Sequence, residues 1–243
     1  MSGFSTFAIV GLGKLGSRVL AALLSHRSAS DLSIRVLTRP DSVHSQVNHP
    51  NVTFYPINYE NGPLAESQLA HALRSVEVVI STIGAGQNDS AEVKRLVASG
   101  RHIGDLPGFR SQSLVARCAR IAGCQLFVPA EYGSPTHVLE PRGDSFLRGK
   151  RIFQDELRRM QFPYLLVYTG AFPRAEPEPT PLARNTPALP PHPFETTRHH
   201  VALFIAHLVL DVPQDALEWG VFMIRGQRRE VLVENQWHFL ADY

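Results

Sequence analysis

Cysteine is nearly missing from this chain: of 243 residues only Cys118 and Cys124 are cysteines, six apart. That spacing fits neither a CxxC redox pair nor a four-ligand zinc site, so a disulfide-built fold is not expected and the cytoplasm is the expected setting. A one-sided charge is missing too. Lys+Arg at 24 against Asp+Glu at 22 leaves a net charge of +2, too small for charge to imply nucleic acid or an anionic membrane as partner. Long apolar runs are also lacking. Val201 to Leu210, broken by His207, is about half the roughly 20 residues a membrane span needs, and it reads as a buried helix. Met1 to Phe7 has no basic stretch leading into an apolar core, so no secretory leader is expected. What is present is 44% apolar residues with 19% charged, enough to bury a core as one large domain or two small ones.

Along the chain, short apolar runs alternate with helical spacing. Phe7 to Val10 closes on Gly11, after which Leu15, Val19, Leu20, Leu23 and Leu24 recur at helical intervals. Further strands are expected at Ile34–Thr38, Val52–Tyr55, Val76–Thr82, Gln125–Val128 and Tyr164–Tyr168. Helices are expected at Leu64–Leu73, Ser113–Ala122 and Ser145–Met160. This order predicts an α/β fold, a Rossmann-type doubly wound parallel sheet. Asn88 to Arg110, rich in glycine, reads as a loop or partly helical insertion. Residues 173–193 hold eight of the eighteen prolines, which fix φ and remove amide donors, so a stiff crossover or lid is expected there. Three parts result: 1–172 as a dinucleotide-binding domain with an insertion near 88–110, the proline-rich 173–193, and 194–243 as a small C-terminal substrate-binding part. The last should carry a helix over Thr197–Leu210 and short strands near Val221–Ile224 and Val231–Val233.

Gly11-Leu12-Gly13-Lys14-Leu15-Gly16 is a G-x-G-x-x-G string that follows a strand and opens a helix. In that setting the first glycine makes the turn, the second lets main chain approach a pyrophosphate and the third allows close packing, while free amides at the helix start bind phosphate. NAD selection needs an acid at the end of the second strand. Here the strand ends in Arg39, a guanidinium suited to the 2′-phosphate of NADP, with Lys14 as a second cation. NADP(H) is therefore expected over NAD. Thr82, Ile83 and Gly84 end the fourth strand, where small residues would line the nicotinamide side of the crevice.

The order of these motifs resembles the NmrA-like and isoflavone-reductase-like atypical short-chain dehydrogenases. It is carried by Gly11–Gly16, Val79-Ile-Ser-Thr-Ile-Gly84, Phe127-Val-Pro-Ala-Glu-Tyr-Gly133, Lys150 and Pro163-Tyr-Leu-Leu-Val-Tyr-Thr-Gly-Ala-Phe172. The resemblance implies a Rossmann-type NADP domain, a small substrate domain and, as in the reductase members, a working lysine at Lys150. Those members typically read Pro-Ser-Glu-Phe-Gly where this chain has Pro129-Ala130-Glu131-Tyr132-Gly133. The Tyr-x-x-x-Lys pair of ordinary short-chain dehydrogenases is absent.

Phe146, Lys150, Phe153 and Leu157 share one helix face, so Lys150 either snorkels to water or is desolvated, which would lower its proton affinity into a range suited to proton transfer; alternatively it stays charged and binds the nicotinamide ribose of the cofactor or a substrate oxygen. Tyr132, just past the fifth strand, is the second candidate proton or hydrogen-bond donor, and packing is its plainer role. No metal site is expected from the scattered histidines. The function expected is an NADPH-dependent reductase acting on a small apolar or aromatic metabolite. The alternative is a non-catalytic NAD(P) sensor that signals to a regulatory protein partner. Oligomeric state is not encoded legibly.

Overall fold

The computed structural model describes residues 3–42, 48–59, 62–84, 95, 98–99, 103–138, 146–173, 196–225, 228–233 and 236–239. Most of the expected 88–110 insertion, nearly all of the proline-rich 173–193 and the pair Ala85 and Gly86 lie outside them.

The strands are β1 (Thr6–Val10), β2 (Ser33–Thr38), β3 (Val52–Pro56), β4 (Val78–Ser81), β5 (Leu126–Val128), β6 (Leu166–Tyr168), β7 (Val221–Arg225), β8 (Arg228–Val233) and β9 (Gln236–Phe239). The helices are α1 (Gly16–Leu24), α2 (Gly62–Ala72), α3 (Pro107–Ile121), α4 (Phe146–Arg159), α5 (Arg198–Asp211) and the short α6 (Gln214–Leu217). Five parallel strands form the main sheet in the order β3-β2-β1-β4-β5, with Phe7 opposite both Ile34 and Val78. The strand order reverses between β1 and β4, which opens a crevice at their carboxyl ends.

Period-two alternation decides the layers. Phe7 and Ile9, Ile34 and Val36, Val78 and Ile80 face one core with α1 and α5. Ala8 and Val10, Leu37, Val79 and Phe127 face the other with α2, α3 and α4. Both faces are covered, as a parallel sheet requires.

The sixth expected strand departs from the simple picture. Pairing begins at Leu166, and β6 heads a second sheet, β6-β7-β8-β9, in which β6 and β7 are parallel and the rest antiparallel. Its residues still alternate between the same two cores, Val167 with the first and Leu166 and Tyr168 with the second. Among the described residues a bridge joins the sheets: Phe127 N–H donates to the Pro163 carbonyl (2.9 Å) and Leu165 N–H to the Phe127 carbonyl (2.9 Å).

Three helix starts also differ from expectation, α2 opening at Gly62, two residues before Leu64. α3 begins at Pro107, six residues before Ser113, because proline at the first helical position lacks an amide that would be unbonded anyway. α5 opens one residue later than expected, since Thr197 is its cap and accepts from His200 N–H at 3.2 Å.

α5 lies along α1. Val201, Phe204, Ile205, Leu208 and Val209 are buried, each contributing roughly 1.5–3 kcal/mol. Beside that sum the polar clamp at the far end of the pair is small. There Asp211 accepts from Arg27 (3.0 Å) and pairs through one oxygen with His26 (3.2 Å) and His207 (2.9 Å), worth about 1 kcal/mol for partly exposed groups.

Candidate functional site

The first strand ends in a turn that only glycine takes comfortably. Gly11 has φ +90°, in the left-handed region where a Cβ is strained, and its N–H donates to the Leu37 carbonyl at 2.8 Å. That bond ties the turn to the end of β2. From the other side, Thr82 hangs on β1: its N–H donates to Val10 (2.8 Å) and its hydroxyl to the Gly11 carbonyl (2.7 Å). A methyl group on Gly16 would overlap the Gly11 carbonyl oxygen and lie 2.6 Å from the Thr82 hydroxyl, whereas one on Gly13 would meet nothing within 4 Å. The three glycines thus have three different surroundings: a forced turn, an open face and a packed contact.

The open face fits a pyrophosphate. α1 starts without any side-chain cap and with no acid in its first turn, so no side chain covers its positive dipole end, while the Ser17 N–H bonds back to the Gly13 carbonyl at 3.0 Å. Lys14 and Arg39 are exposed beside it, and Leu12 and Leu15 anchor the loop on the core. Arg18, which the sequence reading passed over, is buried and bends back to donate to the Lys14 carbonyl at 2.6 Å. Its i+4 spacing from Lys14 was the available signal. On the facing edge, Ile83 packs on the second core and Gly84 is exposed with open space around it.

The turn after β5 forms the rest of the crevice. Ala130 N–H donates to Gln112 Oε1 (2.9 Å) and the Tyr132 hydroxyl to the Ser81 carbonyl (3.1 Å), while Lys150 Nζ donates to the Glu131 carbonyl (2.7 Å). Thr169 and Gly170 both donate to the Gly133 carbonyl (3.0 and 3.1 Å). These bonds join the ends of β4, β5 and β6 to α4, so the structure brings Lys150 and Tyr132 to the same turn. Lys150 is 8% exposed. Burial pushes its ammonium below the ordinary lysine range and the nearby Glu131 carboxylate partly offsets this. The Tyr132 phenol is pushed up by burial and further by Glu131, so it stays protonated and its hydrogen is committed to Ser81.

A second polar group lies behind the turn. Glu131, 1% exposed, accepts from the Thr136 hydroxyl (2.8 Å), which in turn accepts from Gln154 Nε2 (2.6 Å) and lies 3.3 Å from the Tyr168 hydroxyl. His137 stacks on the Tyr168 ring and reaches its hydroxyl through Nδ1 at 3.1 Å. Among the described residues no group of three His, Cys, Asp or Glu side chains is placed to hold a metal ion, and no helix is long and apolar enough to cross a membrane. Cys118 and Cys124 are free and buried.

A glycine turn between a parallel strand and an uncapped helix, at the point where strand order reverses, defines a Rossmann-type dinucleotide-binding protein. A sequence model of the family described as "NAD(P)H-binding" matches residues 11–212, and the chain belongs to that family. No curated protein matches it in sequence. Among solved structures, triphenylmethane reductase from Citrobacter sp., complexed with NADP(H), is similar at TM-score 0.61 and 15% identity, over 92% of this chain and 71% of that one. Pinoresinol-lariciresinol and phenylcoumaran benzylic ether reductases, described together with their relationship to isoflavone reductases, match at TM-score 0.60 and 18% identity, over 91% and 70%. The Bordetella bronchiseptica enzyme WbmH, in complex with NAD+, matches at TM-score 0.61 and 14% identity, over 93% and 76%. At these identities the likeness is one of fold alone, a Rossmann-type fold.

Proposed function

We propose that this chain is an NADPH-dependent reductase of a small apolar or aromatic metabolite. The amides of Gly13 to Gly16 hold the pyrophosphate, Lys14 and Arg39 pair with the ribose 2′-phosphate, and Thr82, Ile83 and Gly84 border the nicotinamide half. When bound, reduced nicotinamide supplies a hydride. Lys150 supplies the matching proton or hydrogen bond to the acceptor's oxygen, and Tyr132 braces the turn that carries it. In support, the triphenylmethane reductase and the benzylic ether reductases share the fold, and the former is described with NADP(H).

The observation that carries the reading is Lys150, an 8% exposed ammonium held against a main-chain carbonyl at the strand ends. Burying a cation costs several kcal/mol, a cost without return in a protein that only binds a nucleotide. Replacement of Lys150 by Met tests it. Turnover of NADPH with aromatic ketones and enones is expected to vanish while NADPH affinity stays within about tenfold. Undiminished turnover refutes the role.

A second reading, a dinucleotide sensor acting on a protein partner, is favoured by one fact: both candidate donors already have internal partners, Tyr132 on Ser81 and Lys150 on Glu131. Saturable NADPH binding with no oxidation across the acceptor panel selects it.

A further inference from the structure

Glu131 serves Lys150 twice. Its carbonyl accepts from the Lys150 ammonium at 2.7 Å, so the carboxylate of the same residue, 1% exposed, belongs to the group that holds the ammonium and favours its charged form. A buried carboxylate is costly unless paired and hydrogen bonded, and this one is fastened by the Thr136 hydroxyl, which Gln154 holds in turn. Thr136 and Gln154 are both fully buried. Because the threonine hydrogen is spent on Glu131, its oxygen is left as the acceptor for Gln154 and the Tyr168 hydroxyl. Each bond therefore orients the next.

We infer that Glu131 is the positioning residue of the site: its carbonyl places the Lys150 head, and its carboxylate, fixed by Thr136, Gln154 and Tyr168, is the built-in counter-charge to that head. The inference rests on the proposed reading of Lys150 as the working group. The directions of titration agree with the geometry. Glu131 raises the proton affinity of Lys150, Tyr132 and Tyr168 alike. Tyr168 is pushed up to about 12, mainly by burial. The other titratable groups on the elements packed here are His137 on the turn, Arg148, Arg151, Asp155, Glu156, Arg158 and Arg159 on α4, Arg110, Arg117, Cys118 and Arg120 on α3, and Asp105 in the single turn Ile103–Asp105. Arg151 is engaged with the His137 carbonyl and Asp155, and Glu156 with Ser113 and Arg117.

The chain has just three lysines, Lys14, Lys94 and Lys150, so a titration of the lysine side-chain carbons by NMR reads Lys150 directly, with the Lys150→Arg variant to assign it. The measurement needs neither cofactor nor substrate, so it can fail while NADPH binding and turnover succeed, and the reverse. In the intact chain Lys150 is expected to lose its proton below the ordinary lysine value of about 10.4. In Glu131→Gln that midpoint should fall by about one pH unit or more, the effect of deleting an opposite charge at close range, with Lys14 and Lys94 unmoved. Glu131→Asp, which keeps the charge, should recover part of the fall. An unchanged Lys150 midpoint in folded Glu131→Gln overturns the inference. Should that variant not fold, the unsubstituted chain answers: the Glu131 carboxyl carbon should step at the pH where Lys150 titrates, and a carbon blind to that event overturns it equally.

Discussion

Alanine at Gly13 and at Gly16 should have opposite consequences, because one glycine is kept for the nucleotide and the other for the fold. At Gly13 φ is not in the left-handed region and a methyl group meets nothing within 4 Å. Alanine should therefore leave stability unchanged or raise it by about 0.5 kcal/mol through the unfolded chain. It does, however, fill the face that pyrophosphate would approach, so NADPH affinity should fall at least about tenfold, or ~1.4 kcal/mol. At Gly16 the methyl collides with main chain, at the Gly11 carbonyl, and with a hydroxyl that already bonds that carbonyl. Neither is the loose end of a long side chain. Overpacking costs about 1–3 kcal/mol and a strained or lost Thr82 bond about 1 more, so Gly16→Ala should lose about 2–4 kcal/mol in urea unfolding. Unfolding curves and fluorescence titration with NADPH on both variants separate the two effects. A Gly13→Ala protein that binds NADPH as tightly as the parent would refute the assignment of that open face.

Cofactor choice should reside in Arg39. Replacing it with alanine is expected to weaken NADPH by about 1–2 kcal/mol, the loss of a charge-assisted contact at an exposed site, and to leave NADH nearly untouched; equal loss for both would move the selectivity elsewhere. The clamp on α5 should show in acid. Burial alone would raise the Asp211 carboxyl, but hydrogen bonds from His207 and His26 outweigh it and hold the group below its usual value. A carboxyl depressed on folding contributes stability that is complete above the unfolded value of about 3.9 and is lost as pH falls through the folded one. Asp211→Asn should thus be less stable than the parent at pH 7, with the gap closing below about pH 4. A gap as wide at pH 3 as at pH 7 contradicts the clamp.

How legible all this was depends on the reach of each cause. β1, β2 and β4 show in the sequence because a fully buried parallel strand is a short apolar run, and Phe7–Val10 followed by Gly11 needs only its own residues to be recognised. The second sheet is not legible in that way: β6 pairs with β7, more than fifty residues later, and Gln236–Phe239, whose alternation spans only four residues, is placed by its pairing with β8. Pro107 was visible but ambiguous, since proline both starts helices and ends them, and the glycines around it favoured a loop. At the site, the glycine string, Arg39 and Lys150 were readable from local pattern. The cluster behind Lys150 was not. Glu131, Thr136, Gln154 and Tyr168 come from a turn, a helix and a strand, and only packing of α4 against the β5 and β6 ends brings them together.

The central claim is that the first turn of this fold receives a pyridine dinucleotide carrying a 2′-phosphate. Equilibrium titration of the purified chain with NADPH and NADH, followed by nicotinamide fluorescence, tests it most directly. Saturable micromolar binding of NADPH, clearly tighter than that of NADH, is the predicted result; a flat NADPH titration up to millimolar concentrations would contradict it.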